Sequence, residues 1–324
     1  MSVAEARLSG GAELFARAVP RVEGVYVADQ TAGADYLAHT TAAFSDKWTS
    51  LEQAEEDSEG WKQFQFRWYL ECYGHESQEA LEQALAGRRH ILDAGCGPGY
   101  KAAWFARLNP RATVVAMDLS DSVFLAARRY AGVPNMVFVK GDIARTPFRE
   151  AAFDFISCDQ VLHHTDDPPR TLAEFRRIMA PGGALYTYVY ARKALPRELL
   201  DEHFRQLSKR LTRDELWALS EQLTRLGKAL SELDAQVDVP DIPALGISGG
   251  RMDVQRFLYW NFVKCFWNPE HGFEASRMIN FDWYSPERAF RYDRGEFVAM
   301  VEKAGFAADF LHSEEACHSG RFHG

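Results

Sequence analysis

The 324-residue sequence holds no run of about 18 apolar residues, so it predicts no membrane span. Its first stretch, MSVAEARLSGGAELFARAV, lacks a basic lead and a long apolar centre, which argues against a secretory leader. Cysteine is sparse: Cys72, Cys96, Cys158, Cys265 and Cys317 stand apart, with no CxxC among them. That spacing predicts free thiols in a reducing, cytoplasmic setting. The tail LHSEEACHSGRFHG gathers three histidines and one cysteine, but Cys317 and His318 are neighbours and no CxxC accompanies them. No metal centre is expected from that pattern. Basic residues are outnumbered, 37 against 46 acidic ones, for a net charge of −9. This balance disfavours a nucleic-acid partner, which demands a basic face. Internal repeats and low-complexity tracts are lacking as well.

What remains is the composition of a globular protein, 47% hydrophobic and 26% charged. Residues 1–88 read as a mostly helical flank, with Phe64, Phe66, Trp68, Tyr69 and Tyr73 too aromatic to stand in solvent. Within it, SQEALEQALAG reads as a helix capped by Ser77 and stopped at Gly87. Over residues 89–194 short apolar strands alternate with helices. HILDAG, ATVVAMDLS, NMVFVKGDI, FDFISCDQ and GGALYTYVYA are the strands, and APGG is a helix-stop turn before the last. Such alternation predicts an α/β fold, a doubly wound and mostly parallel sheet.

Residues 195–285 break the rhythm and read as a helical insertion. Leu216, Leu219, Leu223, Leu226, Leu230 and Leu233 step by three and four, one apolar stripe on one helix. The stripe predicts packing on the helix's own domain, with a homodimer seam as the alternative. VDVPDIPALGISGG reads as a connector, and MDVQRFLYWNFVKCFWNPEHG as a further apolar helix. Residues 286–324 return to the core as a helix and a closing antiparallel strand pair.

HILDAGCGPGY carries the chemistry. A strand runs into Gly95, Gly97 and Gly99, and a helix follows, an arrangement that lets a ligand approach bare backbone at a helix N-terminus. The third glycine of a dinucleotide loop would fall at Tyr100. Asp93, just before the loop, would repel a pyrophosphate and accept from an ammonium. Asp118 ends the second strand, about 20 residues on, where a carboxylate meets a ribose diol. That position suits either nucleoside cofactor. Asp142 ends the third strand, placed for an adenine amino group.

LDAGCGPG, VVAMDLS, VKGDI, AFDFISCDQVLHH and RIMAPGGALYTYVY, in this order and spacing, resemble the class I S-adenosylmethionine-dependent methyltransferases. FSDKW and FDWYSP are similar to a bacterial subgroup acting on small molecules. The resemblance implies a seven-stranded, Rossmann-like sheet, S-adenosylmethionine as cofactor and S-adenosylhomocysteine as product. It implies that Gly95, Gly97 and Gly99 line the methionine part and that Asp93 holds its ammonium. Asp118 would take the ribose, with Leu119 against the adenine, and Asp142 the adenine amino group, with Ile143 beside the ring. Asp159 and Gln160 would face the sulfonium.

Methyl transfer is an in-line displacement on an already activated group, so the protein supplies alignment and a dry field. A base matters only for a protonated nucleophile. His163 and His164, after the fourth strand, are the candidates, with packing or capping as the plainer reading. Tyr186, Tyr188 and Tyr190 share one strand face. Tyr188, Tyr190 and Trp260 are the candidate substrate wall, and Trp48 a candidate cover for the cofactor. Arg251, Arg256, Lys264, Arg277, Arg288 and Arg291 offer an anchor for a carboxylate or phosphate, with ordinary surface charge as the plainer reading. The expected function is methyl transfer to a small molecule, oxygen ahead of nitrogen, sulfur and carbon. The alternatives are aminocarboxypropyl transfer or lyase chemistry with the same cofactor, or a non-catalytic cofactor-binding partner.

Overall fold

The structure, a computed structural model, describes residues 11–28, 55–286 and 288–324. The central sheet is built on five parallel strands: β3 (His90–Ala94), β4 (Thr113–Asp118), β5 (Met136–Lys140), β6 (Phe153–Cys158) and β7 (Met179–Ala191). Two antiparallel strands follow β7, first β12 (Cys317–His323) and then β11 (Ala307–Ser313). These seven are the expected set, but the sheet has ten strands. A hairpin of β1 (Arg21–Val22) and β2 (Val25–Val27) extends the β5 edge, and β10 (Arg291–Tyr292) pairs with the end of β7. The hairpin adds two strands to a flank read as mostly helical. Its two-residue turn, Glu23–Gly24, has φ of 48° and 85°, the left-handed pair whose twist matches two antiparallel strands.

Alternation along each strand divides the core. Leu92, Val115, Ile156 and Leu185 point to one face, under α5 (Pro168–Ile178) and α10 (Arg294–Lys303). Their neighbours Ile91, Val114, Phe155 and Tyr186 point to the other. That face is covered by α1 (Glu55–Cys72), α2 (Gln78–Leu85), α3 (Tyr100–Leu108) and α4 (Ser122–Arg129). The expected N-cap is present, with Ser77 Oγ accepting from Ala80 N–H at 3.3 Å. Tyr69 and Cys72 on α1 and Tyr73 just after it are wholly buried, so this part of the flank is core. The APGG turn interrupts β7, whose pairing with β6 jumps from Met179, opposite Phe153, to Ala184, opposite Phe155.

Between β7 and β10 lie α6 (Leu195–Ser208), α7 (Arg213–Ser231), α8 (Val254–Asn261) and α9 (Gly272–Tyr284). The connector contains a second hairpin, β8 (Gln236–Val239) with β9 (Gly250–Asp253), and the expected long apolar helix is only α8. On α7 the buried face is Ser220, Thr224 and Gly227, not the leucines. Small residues win because another chain segment crosses there: a Cβ on Gly227 would stand 2.2 Å from the Cys265 carbonyl oxygen. Asn280 of α9 donates to Thr224 Oγ1 at 2.8 Å across the same contact. The leucine stripe therefore borders the contact, with Leu226 and Leu233 exposed. No helix among the described residues is long and apolar enough to cross a membrane.

Candidate active site

The five parallel strands end along one edge, where open α/β sheets bind their ligands. β3 runs into a loop with φ of 87° at Gly95, 51° at Gly97 and 80° at Gly99. Only glycine adopts such angles without strain. A Cβ at Gly95 would meet Val161 at 2.4 Å, so the loop also needs the bare backbone for packing. Gly99 is the N-cap of α3 and supplies no side-chain acceptor, which leaves the helix N-terminus turned toward this edge.

Carboxylates surround that loop. Asp118 Oδ2 accepts from Gly97 N–H at 2.8 Å, and its Oδ1 from the Ser120 N–H at 2.8 Å and hydroxyl at 2.6 Å. Asp142 follows the adjacent strand and accepts from Ala144 N–H at 2.9 Å. Leu119 is half-buried next to Asp118, and Ile143 buried next to Asp142. Asp93 is 3% exposed, and its Oδ2 has no hydrogen-bond partner. Burial pushes its carboxyl up to about 7, with Asp159 and Asp118 adding to the effect and Lys101 opposing it.

Asp159 and Gln160 follow β6, near Asp93. Asp159 accepts a hydrogen bond from the Tyr73 hydroxyl at 2.9 Å, contacts the Lys101 ammonium and accepts from Gln160 Nε2 at 3.1 Å. Gln160 also reaches Gln65 of α1 at 2.9 Å. Burial pushes the Lys101 ammonium down, but Asp159 outweighs it, and the group stays above its ordinary range. Tyr73, Gln65 and Lys101 had no motif to mark them; they reach the site through helix packing.

The histidines are interior. His163 is wholly buried, its ring 3.8 Å from that of Tyr190, and His164 Nδ1 donates to the Arg288 carbonyl at 2.9 Å. Of the tyrosines on β7, Tyr186 stacks on Tyr73 in the core at 5.1 Å, and Tyr188 is buried within 5.8 Å of His163. Tyr190 meets Trp283 of α9 at 4.8 Å. Trp283, not Trp260, is thus the aromatic brought to Tyr190. Trp260 packs on Tyr259 and beneath the Lys193 ammonium. Trp48 and FSDKW lie outside the described residues.

The expected basic cluster is only partly gathered, with Arg288 and Arg291 lining one cavity. Arg277 pairs with Glu274, Arg288 with Asp166 and Arg291 with Glu198, while Arg256 lies over the Tyr259 ring and Arg251 is exposed. Lys264 of that cluster is buried, together with Arg197 and Arg205, which the sequence did not single out. Arg197 pairs with Asp201 at 2.7 Å, and Lys264 donates to the Tyr259 hydroxyl at 2.8 Å with Trp283 at 4.7 Å. Burial pushes Lys264 down to about 7. Arg205, 3% exposed, donates to the Pro286 carbonyl, while its Nε and Nη2 have no hydrogen-bond partner. It lines a cavity of about 460 Å³ with Arg288, Arg291, Glu198 and Phe290. Phe290 N–H in turn donates to the His163 carbonyl.

Residues 92–187 match the family described as methyltransferase domain. Malonyl-[acyl-carrier protein] O-methyltransferase of Legionella pneumophila is 35% identical over 33% of this chain and 38% of its own length. Trans-aconitate 2-methyltransferase of Deinococcus radiodurans is 35% identical over 34% of this chain and 42% of its own. The matched stretch thus spans less than half of the length of these curated relatives. A solved S-adenosylmethionine-dependent methyltransferase from Mesorhizobium loti aligns with 77% of this chain and 99% of its own, at 14% identity and a TM-score of 0.46. Residues 92–187 thus carry a methyltransferase domain, and over that core the chain is similar to the class I S-adenosylmethionine-dependent methyltransferases.

Proposed function

We propose that the protein methylates an oxygen of a small acceptor carrying an anionic group, and that residues 195–285 form the cap over that acceptor. The observation that carries the cofactor side is the unpartnered, buried Asp93 Oδ2 beside a glycine loop and an uncapped helix N-terminus. An ammonium supplies the missing partner, and a carboxylate suits the helix end. Asp118 and Asp142, on adjacent strand ends, hold the ribose and the adenine amino group. Leu119 and Ile143 flank the ring, and Asp159 and Gln160 floor the site. When bound, S-adenosylmethionine supplies a methyl group on a sulfonium. The chain's own work is alignment and exclusion of water, which the aromatic wall of Tyr188, Tyr190 and Trp283 provides.

The anionic acceptor is favoured by Arg205, a buried guanidinium with two unmatched nitrogens lining a cavity. The relatives named for malonyl and trans-aconitate substrates fit an acid acceptor. A carboxylate oxygen starts deprotonated and needs no base; a hydroxyl would call on His163 or His164. The test is incubation with S-adenosylmethionine and a panel of small mono- and dicarboxylates and hydroxy acids. The expected result is acceptor-dependent S-adenosylhomocysteine and a methyl ester or ether. Methylthioadenosine in its place would mean aminocarboxypropyl or lyase chemistry and overturn the reading.

A further inference from the structure

Cys72, His312 and Cys317 are far apart in the sequence and meet in the fold. Cys72 ends α1, His312 lies near the end of β11, and Cys317 opens β12. The two Sγ atoms and an imidazole nitrogen all lie within 4.8 Å of one another, the one such cluster among the described residues. A tetrahedral zinc with two thiolates and an imidazole holds its ligand atoms roughly 3.5–3.8 Å apart, given Zn–S of about 2.3 Å and Zn–N of about 2.0 Å. Closing on an ion therefore needs shifts of about 1 Å.

Both thiols are free and wholly buried. His312 Nε2 is buried with no hydrogen-bond partner, and Glu314 Oε2 stands 3.9 Å from it. A buried imidazole nitrogen without a partner is costly, and a metal ion is the partner that also uses two thiols. The other histidines of the tail are engaged elsewhere. His318 bonds Ser313 Oγ and the Tyr292 carbonyl, and His323 pairs with Asp309. The ligands sit on a rigid frame. Ser319 Oγ donates to the Cys72 carbonyl at 2.7 Å, and Glu314 N–H to the Cys317 carbonyl at 3.0 Å.

We propose that Cys72, His312 and Cys317 bind one soft divalent metal ion, zinc by preference, with Glu314 or a water at the fourth corner. On binding, the two thiols give up their protons to solvent and the ion gains two thiolates. The site would pin the end of α1 to the closing hairpin. Tyr73, the next residue, is then held with its hydroxyl on Asp159, so the metal is a structural staple for the floor of the cofactor site. The proposal stands apart from the methyl-transfer reading, because its readout is metal binding.

The test uses the full chain, reduced and stripped of metal, titrated with Co²⁺. The expected result is one equivalent bound, with thiolate-to-cobalt charge transfer in the near ultraviolet and the visible bands of a tetrahedral ion. Zinc should displace the cobalt and bleach both. His312→Ala, Cys72→Ser and Cys317→Ser should each weaken Co²⁺ binding at least about tenfold, while His323→Ala should not. A wild-type protein that gives no tetrahedral spectrum, with both thiols open to titration, would overturn the proposal. So would an intact mass two hydrogens lighter, the mark of a Cys72–Cys317 disulfide. If a serine variant fails to fold, His312→Ala decides: undiminished affinity would overturn the three-ligand site.

Discussion

Two parts of the molecule bury charge of opposite sign. At the carboxyl edge of the sheet the buried charge is mainly acidic, Asp93 and Asp159 around one lysine. In the segment between β7 and β10 it is mainly basic, Arg197, Arg205 and Lys264 around Asp201. Buried charge is costly unless matched. Each part keeps unmatched atoms, Asp93 Oδ2 in one and Arg205 Nε and Nη2 in the other. The difference teaches what each part lacks: the edge wants a cation and the helical segment an anion. A cationic cofactor and the proposed acidic acceptor would meet both needs.

The comparison breaks most completely if the glycine loop is filled. Gly95→Val puts a branched side chain at φ of 87° and within 2.4 Å of Val161. The expected cost is about 2–5 kcal/mol, with a Tm drop of roughly 4–15 °C and no measurable cofactor binding. Gly132→Ala, where nothing lies within 4 Å, should change neither. Differential scanning calorimetry and cofactor titration read both. Asp118→Ala comes next. It should weaken cofactor affinity roughly 10- to 100-fold, through one or two charge-assisted hydrogen bonds, while the protein stays folded by circular dichroism.

The opposite charges also predict opposite pH dependences. Burial raises Asp93 to about 7, so the folded protein holds a proton there that the unfolded chain releases near its ordinary value of 3.8. The resulting penalty builds from about pH 4 to 7 and is full above it. Asp93→Asn should therefore raise the Tm of the cofactor-free protein at pH 8 and leave it unchanged near pH 4. Lys264, lowered to about 7 from 10.5, carries its penalty in full below pH 7 and loses it as pH rises toward 10.5. Lys264→Met should raise Tm at pH 6 and shrink in effect by pH 10. Equal gains at both pH values for either variant would refute the charge assignment. The smallest effect belongs to the leucine stripe. Leu233→Ser, at an exposed position, should move Tm by about 1 °C or less and leave the elution volume unchanged. A shift to a smaller species would restore the dimer seam.

The acidic edge was far more legible in the sequence than the basic segment. Gly95, Gly97, Gly99, Asp118 and Asp142 stand at fixed offsets from strand ends, because a parallel strand delivers its last residue to the shared edge. Alternation along β3, β4 and β6 likewise marks both core faces. Residues that arrive by packing leave no local pattern. Gln65 comes from a helix in the flank and Tyr73 from the residue after it, and Arg205 from a helix the sequence marked only as part of a helical insertion. The leucine stripe predicts a helix packed on its own domain, and α7 does pack there, with the leucines beside the closest contact. Hydrophobic spacing marks the greasy side of α7, but the closest contact there is made by Ser220, Thr224 and Gly227, which let a second segment approach. Thiol pairing was hidden in the same way, with Cys72 and Cys317 at opposite ends of the fold's connectivity.

The central claim is that the glycine loop and its acids hold S-adenosylmethionine. Isothermal titration calorimetry of the purified chain with S-adenosylhomocysteine, run beside Asp118→Ala, tests it most directly. The account predicts one site per chain for the wild type and roughly 10- to 100-fold weaker binding for the folded variant. No binding heat in the wild type at any of several temperatures, or equal affinity in the two proteins, would contradict it.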